Sequence, residues 1–247
     1  MEAPAIDKIL SLAVPNQIER DGKLYVDKSM HVIAPELPGA LACSTLQGLS
    51  DLVAGGLDGF DLATLLVAID SPREVSIIAK AADTYGRRRK YAVAKYPTEC
   101  STFKFGEWHS PEPFIIALQQ GFQRVKIEGD DGKFSPDLDY VLGIASKITA
   151  ENSMSHEDDG IAQRVAVKQG VSLKAEAVLK PLVNLAPYRT FAEIDQVVST
   201  FVFRVRVQGE AVQLALFEGD GGRWRLAAVA AIKAWLATKT TGIPIIG

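Results

Sequence analysis

The feature that most constrains the fold is a strand, turn and strand pattern in the last fifty or so residues. Every second residue over 201–207 is apolar, and Arg204 and Arg206 lie between the apolar positions. This alternation is typical of a half-buried β-strand, whose side chains point to opposite faces in turn. The run 211–217 supplies an apolar partner, and a Gln-Gly dipeptide provides the turn. The pattern predicts an antiparallel hairpin with Arg204 and Arg206 on one face.

A glycine-rich connection at 218–222 leads from this hairpin into a predicted amphipathic helix. Asp220 stands within the connection, where its carboxylate can cap the first amides of the helix. Two tryptophans, each burying roughly 150 to 250 Å², would dominate the contact of this helix with a sheet. The apolar stripe consists of Trp224, Ala228, Ile232, Trp235 and Leu236.

Further hairpins and helices are predicted along the rest of the chain. Asp21-Gly22 favours a tight turn between strands at 17–20 and 23–26, and a four-residue turn with a proline, 70–73, joins strands at 64–69 and 74–80. Helices are predicted after Thr45, after Ser110 with the serine hydroxyl as its cap, and from Pro136. Other predicted strands cover 90–95, 162–171 and 178–185.

These elements predict an α+β fold. The sheet is expected to be mostly antiparallel, made of hairpins and meanders, with packed helices that include the C-terminal amphipathic one. A single domain spanning 1–247 is expected, and the alternative is a hairpin-rich part at 1–109 followed by a second part at 110–247.

Composition excludes several classes of protein. No run approaches the roughly 18 to 20 apolar residues of a membrane-spanning helix, so no membrane partner is expected. The first residues lack the pattern of a secretory signal. Two cysteines, Cys43 and Cys100, are too few for a disulfide framework and favour a reducing compartment. We therefore expect a cytoplasmic protein.

Charge is unevenly distributed, although the formal net charge is only -3. From Gly160 to Gly247 there are 11 basic and 6 acidic residues, which leaves 16 basic and 24 acidic residues in the first 159. Such a division can join unlike faces of neighbouring subunits or steer a charged partner.

Recognisable catalytic motifs are missing from the sequence. The one histidine near other metal ligands, His156, precedes three carboxylates that lack calcium-loop spacing. There is no nucleophile elbow and no phosphate loop. The sequence therefore predicts no catalytic residue, no metal and no cofactor.

One basic run is a candidate binding or interface site: Arg87, Arg88, Arg89 and Lys90, with tyrosines close by. Four cations and stacking rings suit nucleic acid, but the acidic sequence pI of about 5.7 opposes that interpretation. A turn that meets an acidic surface of a second subunit and a merely solvated loop are the alternatives.

A second candidate site combines arginines and carboxylates near the predicted hairpin. Structural or interfacial ion pairs are the favoured interpretation, and ligand binding is the alternative. Tyr188 stands beside Arg189 in a turn that can anchor a corner or present hydrogen-bond donors. The charged members of this set are Arg189, Glu193, Arg204, Arg206, Glu218 and Asp220.

Five short motifs together carry a family resemblance. They are EPFIIALQ at 112–119, DDGIAQ at 158–163, PYRTFAE at 187–193, FVFR at 201–204 and EGDGGRW at 218–224. On these motifs the chain resembles a set of proteins encoded by tailed phages and prophages, related to the YfdQ-like proteins. The resemblance covers the C-terminal half. It implies a phage accessory protein made in the host cytoplasm, and it brings no catalytic residue or cofactor.

Three functions are therefore expected in order. The first is a non-enzymatic phage accessory protein that associates with itself into a homo-oligomer, with acidic and basic regions meeting between subunits. The alternative is a protein that binds nucleic acid or a small nucleotide, in phage DNA metabolism or against host defence. A metal-dependent nuclease is the least favoured.

Overall fold

The computed structural model describes residues 17–26, 31–56, 59, 61–100, 103–125, 136–149, 153–158, 163–169, 172–209 and 211–247. The helices are α1 (Leu46–Ala54), α2 (Pro111–Gly121), α3 (Pro136–Thr149) and α4 (Trp224–Lys239). The strands are β1 (Gln17–Arg20), β2 (Lys23–Val26), β3 (His31–Ile33), β4 (Leu41–Cys43), β5 (Leu65–Ser71), β6 (Glu74–Ala79), β7 (Lys90–Lys95), β8 (Phe122–Gln123), β9 (Ser153–Asp158), β10 (Gln163–Gln169), β11 (Ser172–Leu179), β12 (Leu182–Pro187), β13 (Ser199–Gln208), β14 (Ala211–Glu218) and β15 (Ile245–Ile246).

Four sheets are formed by these strands, and the α+β prediction is confirmed. The largest has the order β15-β5-β6-β7-β4, and the next has the order β14-β13-β12-β8. Two three-stranded sheets, β1-β2-β3 and β11-β10-β9, complete the set. Pairing is antiparallel except at the two edges of the largest sheet, where β15 and β4 run parallel to their neighbours.

Local sequence signals explain most of the element boundaries. The predicted first hairpin is confirmed, with Asp21 and Gly22 both at positive φ in its turn. The Thr45 hydroxyl accepts a hydrogen bond from the Gly48 amide and so caps α1. The hairpin of β13 and β14 also forms as expected, and its register opposes Arg204 to Ala215 and Arg206 to Gln213 on one face.

Two predicted boundaries are wrong and one predicted capping hydrogen bond does not form, each for a physical reason. The strand expected at 178–185 is two strands, because Pro181 has no amide proton and the Lys180 amide donates to the Tyr140 hydroxyl instead. The Ser110 hydroxyl makes no capping hydrogen bond, and α2 begins at a proline, whose fixed φ suits the first helical position. The proline turn is shorter than expected, since β5 continues to Ser71 through a bulge.

Two hydrophobic clusters stabilise the molecule. The first packs α2 and α3 against the sheet of β13, with Phe114, Phe201 and Phe203 fully buried. The second packs α1 and α4 against the largest sheet and includes residues from both ends of the chain, such as Leu46 and Leu236. Packing therefore crosses position 109, and the division of the chain into domains stays a prediction.

None of the described helices is long and apolar enough to cross a membrane.

Candidate functional site

The basic run forms a turn whose charges make contacts within the same chain. Arg87 donates to the Asp83 carboxylate through Nε at 2.9 Å and Nη2 at 2.8 Å, and its Nη1 donates to the Pro35 carbonyl at 2.7 Å. The Arg87 amide is the main cause of the lowered pKa of Asp83, and burial opposes it. Arg87 therefore ties the segment around Pro35 to the β6–β7 connection.

The other three cations of the run also have partners nearby. The Arg88 guanidinium donates to the Lys80 carbonyl. Arg89 lies over the Tyr91 ring at 4.5 Å, and the Lys90 ammonium lies 3.5 Å from Asp70 and 3.7 Å from Glu74. The four cations of the run therefore already have partners within the same subunit. This does not favour the run as the main binding site for a second subunit or a nucleic acid.

Arg189 is the centre of a second, buried polar network. Its side chain is 4% exposed, and Nη1 donates to the Glu218 carboxylate at 2.8 Å while Nη2 donates to the Ser199 hydroxyl at 2.6 Å. Burial lowers the pKa of Arg189 from its ordinary value, and the charges of Glu218 and Asp220 oppose that shift. Arg189 and Glu218 are both members of the candidate set, and their ion pair holds the end of β14 to the corner after β12.

Aromatic rings surround the same guanidinium. It lies 4.1 Å from the centroid of the Trp224 ring and 5.4 Å from that of Phe201. A guanidinium over an aromatic face is attracted by the ring quadrupole, and more strongly where water is excluded. Arg189 therefore also fixes the start of α4 against the sheet.

Asp220 acts as the predicted helix cap. Its carboxylate accepts from the Gly222 amide at 2.9 Å and the Trp224 amide at 3.2 Å. Burial raises its pKa, but these amides, the Ser199 hydroxyl and Arg189 lower it by more, so the pKa of Asp220 lies below the usual value. The amides at the start of α4 are consequently occupied by this side chain.

The corner around Arg189 also connects the two hydrophobic clusters. The Arg73 Nε donates to the Arg189 carbonyl at 3.1 Å, and the Thr190 hydroxyl donates to the Pro72 carbonyl. The Gln196 side chain accepts from the amides of Arg189 and Thr190. The turn between β5 and β6 is therefore bonded to the corner that follows β12, which is the anchoring role expected of this region.

The remaining members of the predicted arginine set lie apart from this network. Arg206 donates from Nε to Gln213 at 2.8 Å and lies 4.2 Å over the Trp108 ring, on the sheet face that it shares with Arg204. Glu193 accepts from the Gln47 amide at the start of α1, and its pairing with the arginines stays a prediction.

Tyr188 belongs to the corner through its backbone. Its amide donates to the Gly121 carbonyl at 2.8 Å, and its side chain is half-buried. This contact joins the end of α2 to the segment after β12 and agrees with the anchoring interpretation of Tyr188.

Two surface cavities flank Val198, a valine that is 49% exposed. One, of about 400 Å³, lies between the start of β13 and the first turn of α4, and Ser199, Asp220 and Arg223 contribute to its wall. The other, of about 510 Å³, is bounded by the 123–125 and 195–198 segments. The sequence had no signal for either cavity, because the segments that line each of them meet only in the folded chain.

An exposed apolar segment was also missed from the sequence. Residues 35–42 are all exposed, and Glu36 is the only charged residue among them. They run into β4, an edge strand of the largest sheet. The apolar members are Pro35, Leu37, Pro38, Ala40, Leu41 and Ala42. A composition signal was available here, since two prolines and four aliphatic residues accompany a single charge.

In the described part of the chain no three His, Cys, Asp or Glu residues come close enough together to hold a metal ion. No family model, no curated protein sequence and no solved structure matches this chain. The resemblance to the phage proteins therefore stays a prediction.

Proposed function

We propose that this protein is a self-associating phage accessory protein, and that two copies meet along β4 and the segment before it. The observation that carries the proposal is the run of eight exposed residues at 35–42 with one charge. A contiguous apolar surface of this kind is typical of a site of protein contact.

The edge position of β4 supports this assignment. Among the described strands β4 pairs with β7 on one side only, and it ends the largest sheet. An edge strand offers unpaired amides and carbonyls to another chain. Leu37 and Leu41, which are 38% and 43% exposed, would lose contact with water in the same step.

We take a second copy as the partner because an edge strand can pair with the same strand of another subunit. When β4 of one subunit pairs antiparallel with β4 of another, a two-fold axis relates them and the same residues contribute from both sides. The two five-stranded sheets then join into one continuous sheet. Two-fold dimers are the commonest closed assemblies of soluble proteins.

The basic run has a supporting role in this proposal. Arg87 holds the Pro35 carbonyl, and Asp83 fixes the Arg87 guanidinium. The start of the apolar segment is thus held in place before association, which lowers the entropy lost when it is ordered against a partner. Arg87 is therefore a positioning residue in the proposed interface.

Size-exclusion chromatography with light scattering tests the proposal. The wild type should have twice the mass of one chain or more, and the double variant L37D/L41D should shift to a single chain with an unchanged circular dichroism spectrum. The matched control is L182D, which changes a leucine that is 55% exposed on another sheet and should keep the wild-type mass. A wild-type monomer, or an unchanged mass for L37D/L41D, would contradict the proposal.

A second candidate function, binding of single-stranded nucleic acid, is favoured by one observation. Arg206 is stacked on Trp108, and both residues are half-buried beside the sheet face of β13. Exposed ring area beside a cation suits base stacking and phosphate contact. Titration of labelled single-stranded DNA should then show affinity that falls steeply with salt and is weakened in R206Q. Absence of binding at low salt would exclude this function.

A further inference from the structure

The outward face of α4 is apolar and exposed. The opposite face of the helix is buried, and Ile232 and Leu236 on it belong to the hydrophobic cluster of the largest sheet. On the outward face Leu226 is 77% exposed, more than any other large apolar residue that the structure describes. Its apolar neighbours follow at intervals of three or four residues, which places them on one side of the helix. The exposed apolar residues of this face are Leu226, Ala227, Ala230, Ala234 and Ala237.

The charges of this helix are all of one sign. Residues 221–247 contain no acidic residue, and their basic residues, all exposed, are Arg223, Arg225, Lys233 and Lys239. None of the four makes an ion pair with another residue in the described part of the chain. Exposed cations elsewhere do pair, as Lys95 does with Glu74 and Arg124 with Asp139. The outward face of α4 is therefore apolar in the middle and positively charged around it.

The chemistry of the face selects one class of partner. A second copy of α4 does not fit, because like charges would meet across the contact. Nucleic acid does not fit either, because its sugars and bases are read by hydrogen bonds and the apolar middle of the face offers none. A lipid surface takes up long apolar side chains, and Leu226 is the only one on this face. A protein surface with apolar residues between carboxylates is complementary in both respects.

The shape of the face favours a helix as that partner. Alanine side chains allow two helix axes to approach to about 8–10 Å. The 16 residues of α4 give a contact length of about 24 Å, and Arg223 and Lys233 lie about 15 Å apart along it. We propose that α4 docks an acidic amphipathic helix of another protein, whose apolar stripe lies on Leu226 and the alanines and whose carboxylates pair with Arg223 and Lys233. This surface is separate from β4, and it does not rest on the proposed self-association.

Fluorescence anisotropy with a synthetic helix tests this surface on the full chain. The probe is a fluorescein-labelled peptide of about three heptads, with leucine at positions a and d and glutamate at e and g. The like charges of the glutamates oppose pairing of the peptide with itself. The peptide should bind in a saturable manner. A second peptide with lysine in place of glutamate should bind about tenfold more weakly or less, because its charges repel those of α4.

Variants of the protein separate this face from general attraction. A230E/A234E places two carboxylates in the middle of the face and should weaken binding of the acidic peptide by about tenfold or more. A192E, which changes an exposed alanine outside α4, should bind as the wild type does. K233Q should weaken binding by up to about fivefold, as expected for a surface ion pair. K147Q removes an exposed cation from α3 and should have no effect. Circular dichroism confirms that each variant is folded.

Several outcomes would overturn the proposal. They are the absence of saturable binding of the acidic peptide, equal affinity of A230E/A234E and wild type, or equal affinity for the lysine peptide. Labelled duplex DNA that binds more tightly than the acidic peptide, and is lost in A230E/A234E, would assign the face to nucleic acid instead. The L37D/L41D variant should retain peptide binding, so failure of the self-association proposal is distinguishable from failure of this one.

Discussion

At the level of single residues, Arg189 makes several distinct contacts that one substitution can remove. It combines an ion pair with Glu218, a hydrogen bond to Ser199 and stacking on Trp224. Substituting Arg189→Met would keep much of the apolar contact and leave the Glu218 carboxylate without its partner. Because Glu218 is 37% exposed and can regain water, we expect the free energy of unfolding to fall by about 3 kcal/mol, the lower end for a broken buried pair.

Urea denaturation measures this change. Glu218→Gln is the matched control, since it keeps a hydrogen-bond acceptor beside Arg189 and should cost less. A loss below about 1 kcal/mol for Arg189→Met would show that the network does not stabilise the fold in this way.

Asp220 gives the molecule a pH-dependent contribution to stability. Its pKa is lowered in the folded protein, so the folded state binds the proton less readily than the unfolded state. The contribution is therefore complete above the ordinary pKa of an unfolded aspartate, about 3.9, and is lost as the pH falls through the lower folded value.

The difference in unfolding free energy between wild type and D220N measures this contribution. It should be largest at neutral pH and should shrink as the solution is acidified below about pH 4. A difference that stays constant over that range would show that the cap does not depend on the carboxylate charge.

At the level of elements, the position of α3 depends on one buried carboxylate. Asp137 in its first turn is 6% exposed, accepts from the Lys180 ammonium at 2.6 Å, and accepts from the Asn184 amide at 2.8 Å. These contacts hold the start of α3 against β12 and the turn that precedes it. Loss of the carboxylate would leave the Asn184 amide without this acceptor.

We expect Asp137→Ala to lower the free energy of unfolding by about 2–3 kcal/mol, because the buried carboxylate and its charge-assisted hydrogen bonds with Lys180 and the Asn184 amide are lost. Asp139→Ala is the matched control, because it changes an exposed residue in the same helical turn. It should lower the free energy of unfolding by less than about 1 kcal/mol, as expected for a surface ion pair. Thermal and urea denaturation of both variants measure the two losses of unfolding free energy. Equal losses would contradict the proposed role of Asp137 in positioning α3.

At the level of the whole molecule, salt distinguishes two ways in which copies could associate. Association through the apolar segment at 35–42 should persist or strengthen at about 1 M NaCl, where the Debye length is near 3 Å. Association of acidic with basic regions, the arrangement expected from the charge distribution, should weaken under the same conditions. Sedimentation velocity at low and high salt measures the difference, and dissociation at high salt would exclude the apolar interface.

Much of the fold follows from local signals. The Asp-Gly turn, the Thr45 cap, the alternation in β13 and the stripe of α4 each depend on residues close in sequence, and each predicted element is present. The failed boundary at 178–185 lies where a proline and a hydroxyl from a distant helix change the hydrogen bonds of the backbone. At Ser110 the helix begins where it was predicted, and only the capping hydrogen bond of the hydroxyl is missing.

The sequence by itself determined which residues share one face of a strand or helix, because that follows from periodicity. The placement of Arg204 and Arg206 on one face of β13 is an example. Only the tertiary structure decided which charges meet. Arg189 and Glu218 lie 29 residues apart, and Arg73 reaches Arg189 across 116. Periodicity reports burial within one element, whereas partner choice depends on how elements pack. For this reason the exposure of the segment at 35–42 and the cavity beside Trp224 emerged only from the folded chain.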